Sequence, residues 1–192
     1  MGQVKKAEIR AAIQGTALRL FSRKGYARTS LEEIARGAGV STANVYVYFA
    51  SKLAILYAIY EPWMRERLDR LDADLSRERD ARRKLRLLLR TLWRDIPSEK
   101  NGFANNVMQA ISSMTRRDRY KPVLLRQMEV RLGRMLAESL PPERRRVLGR
   151  ARLGHLLVMA FDGFIIYQHV NPRAPLDDAT LEAVCSMLLG ES

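Results

Sequence analysis

The stretch that decides the fold is TSLEEIARGAGVSTANVYVYFASK, residues 29–52. It opens with two hydroxyl residues and two glutamates, the pattern of a capping box, in which a hydroxyl and a carboxylate satisfy free backbone N–H groups at a helix start. Ala35 is followed four positions later by Gly39 and six positions after that by Val45. The alanine lets two helices approach, the glycine allows a turn with positive φ, and the valine fills the gap between the helices. This spacing predicts a helix-turn-helix.

The segment from Val45 to Phe49 poses a choice, because its alternation of apolar and polar residues would also suit a strand. In a helix, Val45 and Phe49 lie one turn apart and both face the core. The turn before the segment and the capping hydroxyl of Ser41 favour the helix. We therefore predict a third helix over residues 42–48.

This third helix carries groups on its outer side that suit DNA. Asn44 can form two hydrogen bonds with adenine in the major groove. The hydroxyls of Tyr46 and Tyr48 and the ammonium of Lys52 can bond phosphate oxygens. Lys52 begins a helix, where the macrodipole disfavours a cation, and a phosphate partner would explain that placement. The alternative is that both tyrosines only pack, but two tyrosines two positions apart on a short helix cannot both be fully buried.

The charge of the chain supports a polyanionic partner. The 192 residues carry a formal net charge of +13 and are 47% hydrophobic, which is enough to form a core. Residues 1–52 hold nine Lys and Arg against three Glu. Such a balance favours nucleic acid, or less often an anionic membrane surface, although an arginine-rich proteome would also produce it.

The remaining sequence has helical periodicity throughout, so we predict an all-α fold of about nine helices. The predicted helices cover residues 4–23, 29–37, 42–48, 51–79, 81–95, 103–115, 120–140, 143–169 and 177–189. Pro62 lies inside the fourth helix and should kink it, whereas Pro122 falls in a first turn, where proline is tolerated. We predict a three-helix DNA-binding domain at residues 1–50 and a larger helical domain at residues 51–192.

Residues 9–56 resemble the DNA-binding domain of the tetracycline-repressor (TetR) family of bacterial transcriptional regulators. The matching positions are Ala17, Phe21, Gly25-Tyr26, Thr29-Ser30, Ile34-Ala35, Ala38-Gly39-Val40-Ser41, Val45-Tyr46, Tyr48-Phe49, Ser51-Lys52 and Leu56. The resemblance implies that the second domain binds an effector and dimerises. It also implies a DNA-facing set, namely Thr42, Ala43, Asn44, Tyr46 and Tyr48, with Thr29 and Lys52 as phosphate anchors.

Two positions depart from the family pattern. Ala43 stands where the family usually has glycine, and its methyl group could contact a thymine methyl or limit how closely the backbone approaches a phosphate. Leu53 stands where the family usually has an acidic residue, so part of the fourth helix's cap is missing. Both departures leave the operator sequence open.

Aromatic residues and methionines recur beyond residue 50 and suit an adaptable apolar pocket, although each of them alone also suits an ordinary core. His155 and Asp162, seven positions apart on one helical face, could orient a ligand or form structural hydrogen bonds. The predicted effector contacts are Trp63, Trp93, Phe103, Met108, Met128, His155, Met159 and Asp162. We expect the effector to be a largely apolar small molecule.

The predicted eighth helix contains LLVMAFDGFIIY, which is apolar on more than one face and must bury against more than one neighbour. With the ninth helix it could form a four-helix bundle with a twofold mate, and Gly154 and Gly163 would allow close approach. The alternative is a buried helix in a monomer. Arginine runs that begin at Arg82 and Arg144 are explained by solvated faces, with an anionic ligand or extra DNA contacts as the weaker alternative.

Catalytic and metal chemistry find little support in the sequence. The two histidines and the single cysteine have no metal-ligand spacing, no glycine-rich loop follows a strand, and no Ser-His-Asp arrangement is suggested. We predict no cofactor and no enzyme activity. The longest apolar stretch, residues 156–167, is short for a membrane span, and the N-terminus lacks the apolar core of a secretory signal, so a cytoplasmic protein without membrane contact is expected.

These observations predict a homodimeric repressor that an effector releases from a pseudo-palindromic operator. The fourth helix would couple the two domains, because it starts at Lys52 and carries Pro62 in its middle. A competing hypothesis is an architectural protein that coats DNA without sequence preference. A third is an enzyme that uses the helical body, which would turn over a bound small molecule.

Overall fold

The computed structural model describes residues 2–99, 102–114, 123–148, 153–172 and 176–191, and these residues form ten α-helices and no strand. The helices are α1 (Gly2–Lys24), α2 (Leu31–Gly37), α3 (Thr42–Tyr48), α4 (Lys52–Arg77), α5 (Ala81–Arg90), α6 (Phe103–Ser112), α7 (Val123–Ser139), α8 (Pro142–Leu148), α9 (Leu153–Val170) and α10 (Asp178–Leu189). A one-turn π-helix, Thr91–Asp95, continues α5. The prediction of an all-α fold is confirmed.

The chain folds into two compact units. The first unit contains Met1–Arg65 together with Lys100–Arg119, and the second contains Glu66–Glu99 together with Tyr120–Ser192. The units therefore divide within α4, and α6 belongs to the first unit although it follows α5 in sequence. The predicted functional boundary after residue 50 stays a prediction.

The first unit is built on α1, which packs against α2. Ile13, Phe21, Ile34 and Val45 are buried in its core. At the end of α2, the hydroxyl of Thr16 donates a hydrogen bond to the carbonyl of Gly37 at 3.1 Å. A polar bond thus adds orientation to the apolar packing that holds the helix-turn-helix on α1.

The second unit depends on a close crossing of α7 and α9. A Cβ atom on Gly154 would lie 2.1 Å from the carbonyl oxygen of Glu129 and 3.0 Å from the backbone nitrogen of Gly133. No side chain fits there, so the two backbones touch. The close approach predicted for Gly154 therefore occurs within the chain, whereas a Cβ on Gly163 would meet open space.

One feature of the predicted helices differs from the structure. Within the helix predicted over residues 143–169, α8 is described to Leu148 and α9 from Leu153. Residues 149–152 lie outside the described part of the chain, so the continuity of that helix stays a prediction. The helix predicted over residues 81–95 is α-helical only to Arg90. The predicted place of Pro122 also lies outside the described residues.

The arginine runs do more than present a solvated face, which corrects that interpretation. The guanidinium of Arg82 lies 2.8 Å from a carboxylate oxygen of Glu182 on α10, and that of Arg86 lies 3.1 Å from the other. Arg144 donates to the carbonyl of Leu188 at 2.8 Å, near the C-terminus of α10, where a cation is favoured. These arginines fasten α5 and α8 to α10.

Candidate functional site

The turn between α2 and α3 folds as its sequence predicts. The hydroxyl of Ser30 accepts from the backbone N–H of Glu33 at 3.2 Å, while the Glu33 carboxylate accepts from the backbone N–H of Ser30 at 2.9 Å. Gly39 has a φ of +70°, in the left-handed region that favours glycine. The hydroxyl of Ser41 then accepts from the N–H of Asn44 at 3.1 Å and caps α3. The capping box, the glycine turn and the Ser41 cap are all confirmed.

The inner side of α3 is fixed by packing. Val45 has no exposed surface and lies in the same core as Ile34 and Ala35, which are also buried. Phe49, which ends α3, is buried as well, and the guanidinium of Arg10 lies 4.9 Å from its ring centroid. Because Val45 and Phe49 point inward, the opposite side of α3 must face outward.

The outer side of α3 includes all the predicted DNA-facing residues. Tyr46 is 55% exposed and Ala43 is also exposed. Thr42, Asn44 and Tyr48 are half-buried, as expected for positions at the flanks of the exposed face. The structure thus brings the five residues together on one short helix, and their contacts with DNA stay a prediction.

Val47 is the residue on α3 that sequence reasoning missed. Its side chain is 73% exposed, more than that of Tyr46. On a helix with 3.6 residues per turn, a residue two positions after the buried Val45 lies about 160° away from it around the axis. The helical angle alone could therefore have predicted that Val47 is exposed. The alternation of valine with tyrosine in this segment obscured that prediction.

Lys52, a predicted phosphate anchor, already has partners in the chain. Its ammonium donates to the carbonyl oxygens of Tyr26 at 3.0 Å and Thr29 at 2.8 Å, and it lies 4.2 Å from the centroid of the Tyr26 ring. Desolvation, followed by the nearby positive charge of Lys24, lowers the pKa of Lys52. These carbonyls explain the lysine at a helix start without a phosphate, while one of its three N–H groups remains beyond these two bonds.

Thr29, the other predicted anchor, is only 2% exposed. Its hydroxyl donates a hydrogen bond to the carbonyl oxygen of Gly25 at 2.8 Å, and its backbone N–H donates to the carbonyl oxygen of Tyr26 at 3.2 Å. This geometry favours a role in shaping the turn before α2. A contact between Thr29 and a phosphate stays a prediction. The burial of the Thr29 side chain does not favour that contact.

The same turn is held from a second side by α6, which sequence reasoning did not connect with it. Asn106 is 2% exposed, and its side-chain oxygen accepts from the backbone N–H of Tyr26 at 2.7 Å. Its amide nitrogen donates to the carbonyl of Phe21 at 3.3 Å. One turn later, the side-chain oxygen of Gln109 accepts from the N–H of Ala27 at 3.1 Å. The only signal in the sequence was a pair of amides three positions apart on one helix face.

Pro62 creates a link between α4 and α1. A proline has no N–H, so the carbonyl of Ala58, four residues earlier, lacks its usual helical partner. That carbonyl accepts a hydrogen bond from the side-chain amide of Gln14 on α1 at 3.2 Å. The helix remains continuous from Lys52 to Arg77.

The predicted effector contacts fall into separate groups. In the first unit, the rings of Trp63 and Phe103 lie 5.1 Å apart, and Tyr60 lies 5.6 Å from Trp63. Met108 is half-buried on α6. Tyr60, Trp63 and Phe103 form one aromatic cluster, which contains two of the predicted effector contacts, Trp63 and Phe103.

The other predicted contacts belong to the second unit and do not form one cluster. Trp93 packs on Phe164 at 5.2 Å, and its buried indole N–H has no hydrogen-bond partner among the described residues. Met128 is buried, whereas Met159 is 58% exposed. None of the predicted contacts in either unit lines the cavities described below.

The two polar members of that predicted set have different environments. His155 is exposed, and its Nδ1 lies 2.7 Å from a carboxylate oxygen of Glu129. Burial raises the pKa of Asp162 to about 6. The structural hydrogen bond considered for His155 is therefore present. In the described ranges, no group of three or more His, Cys, Asp or Glu residues could hold a metal ion.

Comparison with known proteins finds a family match for the helix-turn-helix of the first unit. Residues 13–59 match the family model described as bacterial regulatory proteins, tetR family. The chain is 44% identical over 52 residues to the HTH-type transcriptional regulator EthR of Mycolicibacterium smegmatis, covering 27% of this chain and 24% of that protein. It is 29% identical over 73 residues to the fatty acid metabolism regulator protein of Bacillus subtilis, which is 38% of each chain. The match thus spans well under half the length of these curated relatives.

The similarity of fold extends further than the similarity of sequence. A TetR-family transcriptional regulator from Bordetella parapertussis has a solved structure that superposes with a TM-score of 0.60. The superposition covers 95% of both chains at 23% identity. At that identity the likeness shows a shared fold, including the helical body, and says nothing of a shared ligand.

Proposed function

Because residues 13–59 match the family model of the tetR bacterial regulatory proteins, we propose that this protein is a transcriptional regulator that binds double-stranded DNA. It acts as a homodimeric repressor that a small-molecule effector releases from a pseudo-palindromic operator. The observation that carries the proposal is the outer side of α3, whose exposed residues have no task in the core. The curated relatives that match this region are themselves transcriptional regulators.

The chemistry of that outer side suits the major groove. Asn44 can pair with adenine through two hydrogen bonds, and Tyr46 and Tyr48 can donate to phosphates. Ala43 and Val47 lie four positions apart, at the centre of the exposed face, where they can contact thymine methyl groups. Because α3 has no charged residue, its contribution is to read bases, while the surrounding positive charge of the first unit supplies salt-dependent attraction.

A homodimer is supported by an apolar stripe on α9. Leu156, Met159, Ile166, Tyr167 and Val170 are all about half-exposed or more, and they recur at helical spacing. Gly163 lies within this stripe with open space above it, so a partner helix can approach closely. Packing against a second copy would bury these side chains.

A membrane is the other partner that such a helix could have. By length and composition alone α9 could cross a bilayer, with 28% of its residues buried, but core helices of other proteins pass the same test. The buried side of α9 crosses α7 at backbone contact through Gly154, and lipid would have to displace that contact to surround the helix. A protein partner on the stripe leaves the crossing intact, so we favour the dimer.

Coupling to the DNA-binding surface is supported by contacts inside the first unit. The aromatic cluster of Tyr60, Trp63 and Phe103 includes the first residue of α6, and Asn106 of that helix holds the turn that precedes α2. An effector that rearranges the cluster would shift this hold. Pro62 provides a second connection, from α4 to α1, because it leaves the Ala58 carbonyl free to accept a hydrogen bond from Gln14 of α1. We therefore extend the predicted lever from α4 alone to α4 and α6.

The experiment is a footprint on DNA fragments drawn from a bacterial promoter library, read at low and high salt. A short protected palindrome whose affinity falls with salt supports a regulator. Broad protection without sequence preference would favour the architectural hypothesis and contradict the proposal. Turnover of a bound small molecule with no DNA protection would favour the enzyme hypothesis.

A further inference from the structure

The second unit contains a groove that none of the predicted effector residues lines. Its inner part is a cavity of about 450 Å³ between α4, α5 and α7. Its outer part is a cavity of about 740 Å³ along the N-terminal half of α7. The two parts share Asp72, Arg131 and Arg134 as lining residues, and together we call them the α4–α7 groove. Both volumes lie in the range of small-molecule sites.

The groove offers apolar surface mainly in its outer part. Leu75 and Met135 line the inner part and are buried. Val130 lines the outer part and is 75% exposed, so its side chain is accessible to a ligand. The lining residues of α7 run from Arg126 to Ser139, a rise of roughly 20 Å at 1.5 Å per residue. An elongated ligand with an apolar body fits these dimensions.

Each carboxylate of the groove is already paired with an arginine. The guanidinium of Arg131 lies 2.7 Å from Asp69, and that of Arg134 lies 2.6 Å from Asp72 and 2.9 Å from Glu138. A cationic ligand would have to displace an arginine from one of these pairs. Displacement leaves a charge without its partner and opposes binding.

The cations of the groove are not all neutralised. Lys84 lines the inner part and Arg126 the outer part, and neither pairs with a carboxylate in the portion of the chain that the structure describes. With Arg131 and Arg134 they make four cations against three carboxylates. An anionic group can therefore pair with Lys84 without breaking an existing ion pair, and such charge-assisted bonds are among the stronger ones in proteins.

We propose that the α4–α7 groove binds a small organic anion, with its carboxylate or phosphate head group at Lys84 and its apolar body along Val130 in the outer part. Binding of the anion to the groove does not require the proposed function; the role of this anion as the effector of a regulator does. The effector proposed here is amphipathic rather than largely apolar. Its head group binds Lys84, which is not among the effector contacts predicted from the sequence.

The test is isothermal titration calorimetry of the full chain with three probes that share one apolar chain, namely octanoate, octyl phosphate and octylamine. We expect the two anions to bind and the ammonium to bind at least tenfold more weakly. The contrast between octanoate and octyl phosphate tells which anionic group is preferred. Equal binding of all three probes, or binding of none, overturns the proposal.

Variants of α5 locate the head group. Lys84→Met keeps the aliphatic stem but removes the charge, and it should weaken anion binding at least tenfold. Lys84→Arg keeps the charge and should retain binding even if the methionine variant folds poorly. Arg83→Met is the matched control, since Arg83 is exposed on the same helix and lines neither cavity. Anion affinity that Lys84→Met leaves unchanged would contradict the assignment.

The same samples separate this inference from the proposed function. Each variant is also tested against the footprinted duplex, with and without octanoate. Loss of anion binding in a protein that still protects DNA affects the inference alone. Anion binding by a protein that protects no DNA supports the groove and contradicts the regulator.

Discussion

Residues 29–52 in the first unit and the α4–α7 groove in the second are both proposed binding surfaces, yet they are built in opposite ways. The DNA-facing helix is uncharged, and its inner side is fixed by packing and caps that lie within a few residues of one another. The groove is lined by ion pairs between residues as far apart as Asp72 and Arg134. Local spacing can therefore reveal the first surface, whereas only tertiary structure reveals the second.

The largest expected effect lies in the second unit, at the crossing of α7 and α9. Gly154→Ala would place a methyl group 2.1 Å from the Glu129 carbonyl, so the helices must separate. We expect the free energy of unfolding to fall by about 3 kcal/mol or more, as for severe overpacking. Urea denaturation followed by circular dichroism measures it.

The matched control for this glycine lies in the first unit. Gly15 is also helical, but a Cβ there would meet nothing closer than the Arg19 side chain at 3.9 Å. Gly15→Ala should be neutral or stabilise by up to about 1 kcal/mol. Equal effects of the two substitutions would remove the long-range crossing as a determinant of the second unit.

A second prediction concerns the two valines of α3, which separate folding from function. Val45→Ala empties a fully buried site and should cost about 2 kcal/mol in the free energy of unfolding. Val47→Ala changes an exposed site and should alter stability by less than about 0.5 kcal/mol, while weakening DNA binding. Thermal denaturation and duplex titration of both variants check this. If Val47→Ala binds every duplex as the native chain does, Val47 is not part of the DNA-facing surface.

A third prediction tests how far the first surface is truly local. Asn106→Ala leaves the buried N–H of Tyr26 without its partner and should cost about 1–3 kcal/mol. Gln109→Ala removes a more exposed bond to Ala27 and should cost less than 1 kcal/mol. The readout is chemical denaturation, with DNA affinity measured under native conditions. Indistinguishable stabilities of Asn106→Ala and the native chain would show that α6 does not support the turn.

The smallest expected effect is a dependence on pH. The pKa of Asp162 is raised from 3.8 to about 6 by burial, so its stabilising contribution is complete below pH 3.8 and is lost as pH rises through about 6. Asp162→Asn should therefore raise the free energy of unfolding above pH 7 by about 1 kcal/mol, after allowance for partial exposure, and should change nothing near pH 3.5. Unfolding curves from pH 3.5 to 8 measure the difference. A stabilisation that is the same at every pH would exclude this cause.

The sequence predicted α2, the turn and α3 because each step depends on a short-range rule. Ser30 and Glu33 are three positions apart, Gly39 must adopt a positive φ, and Val45 follows at a fixed distance. Helix content followed from periodicity in the same way.

The remaining features required contacts that no local pattern encodes. Asn106 lies 80 residues from its partner Tyr26, and Arg134 lies 62 residues from Asp72. Aromatic content predicted effector contacts at Trp63 and Trp93, which pack on neighbouring rings and do not line the α4–α7 groove. That effector site stays a prediction. Composition can indicate that a pocket exists without indicating which helices enclose it.

The central claim is that the outer side of α3 reads DNA sequence, and selection from a random duplex library tests it most directly. The native chain and Asn44→Ala are selected in parallel, and the enriched duplexes are sequenced. We expect a palindromic motif for the native chain and the same motif for Asn44→Ala with preference relaxed at one base pair in each half-site, by about 1–3 kcal/mol. A native chain that enriches no motif, or an Asn44→Ala motif that is identical to the native one at every position, would contradict the claim.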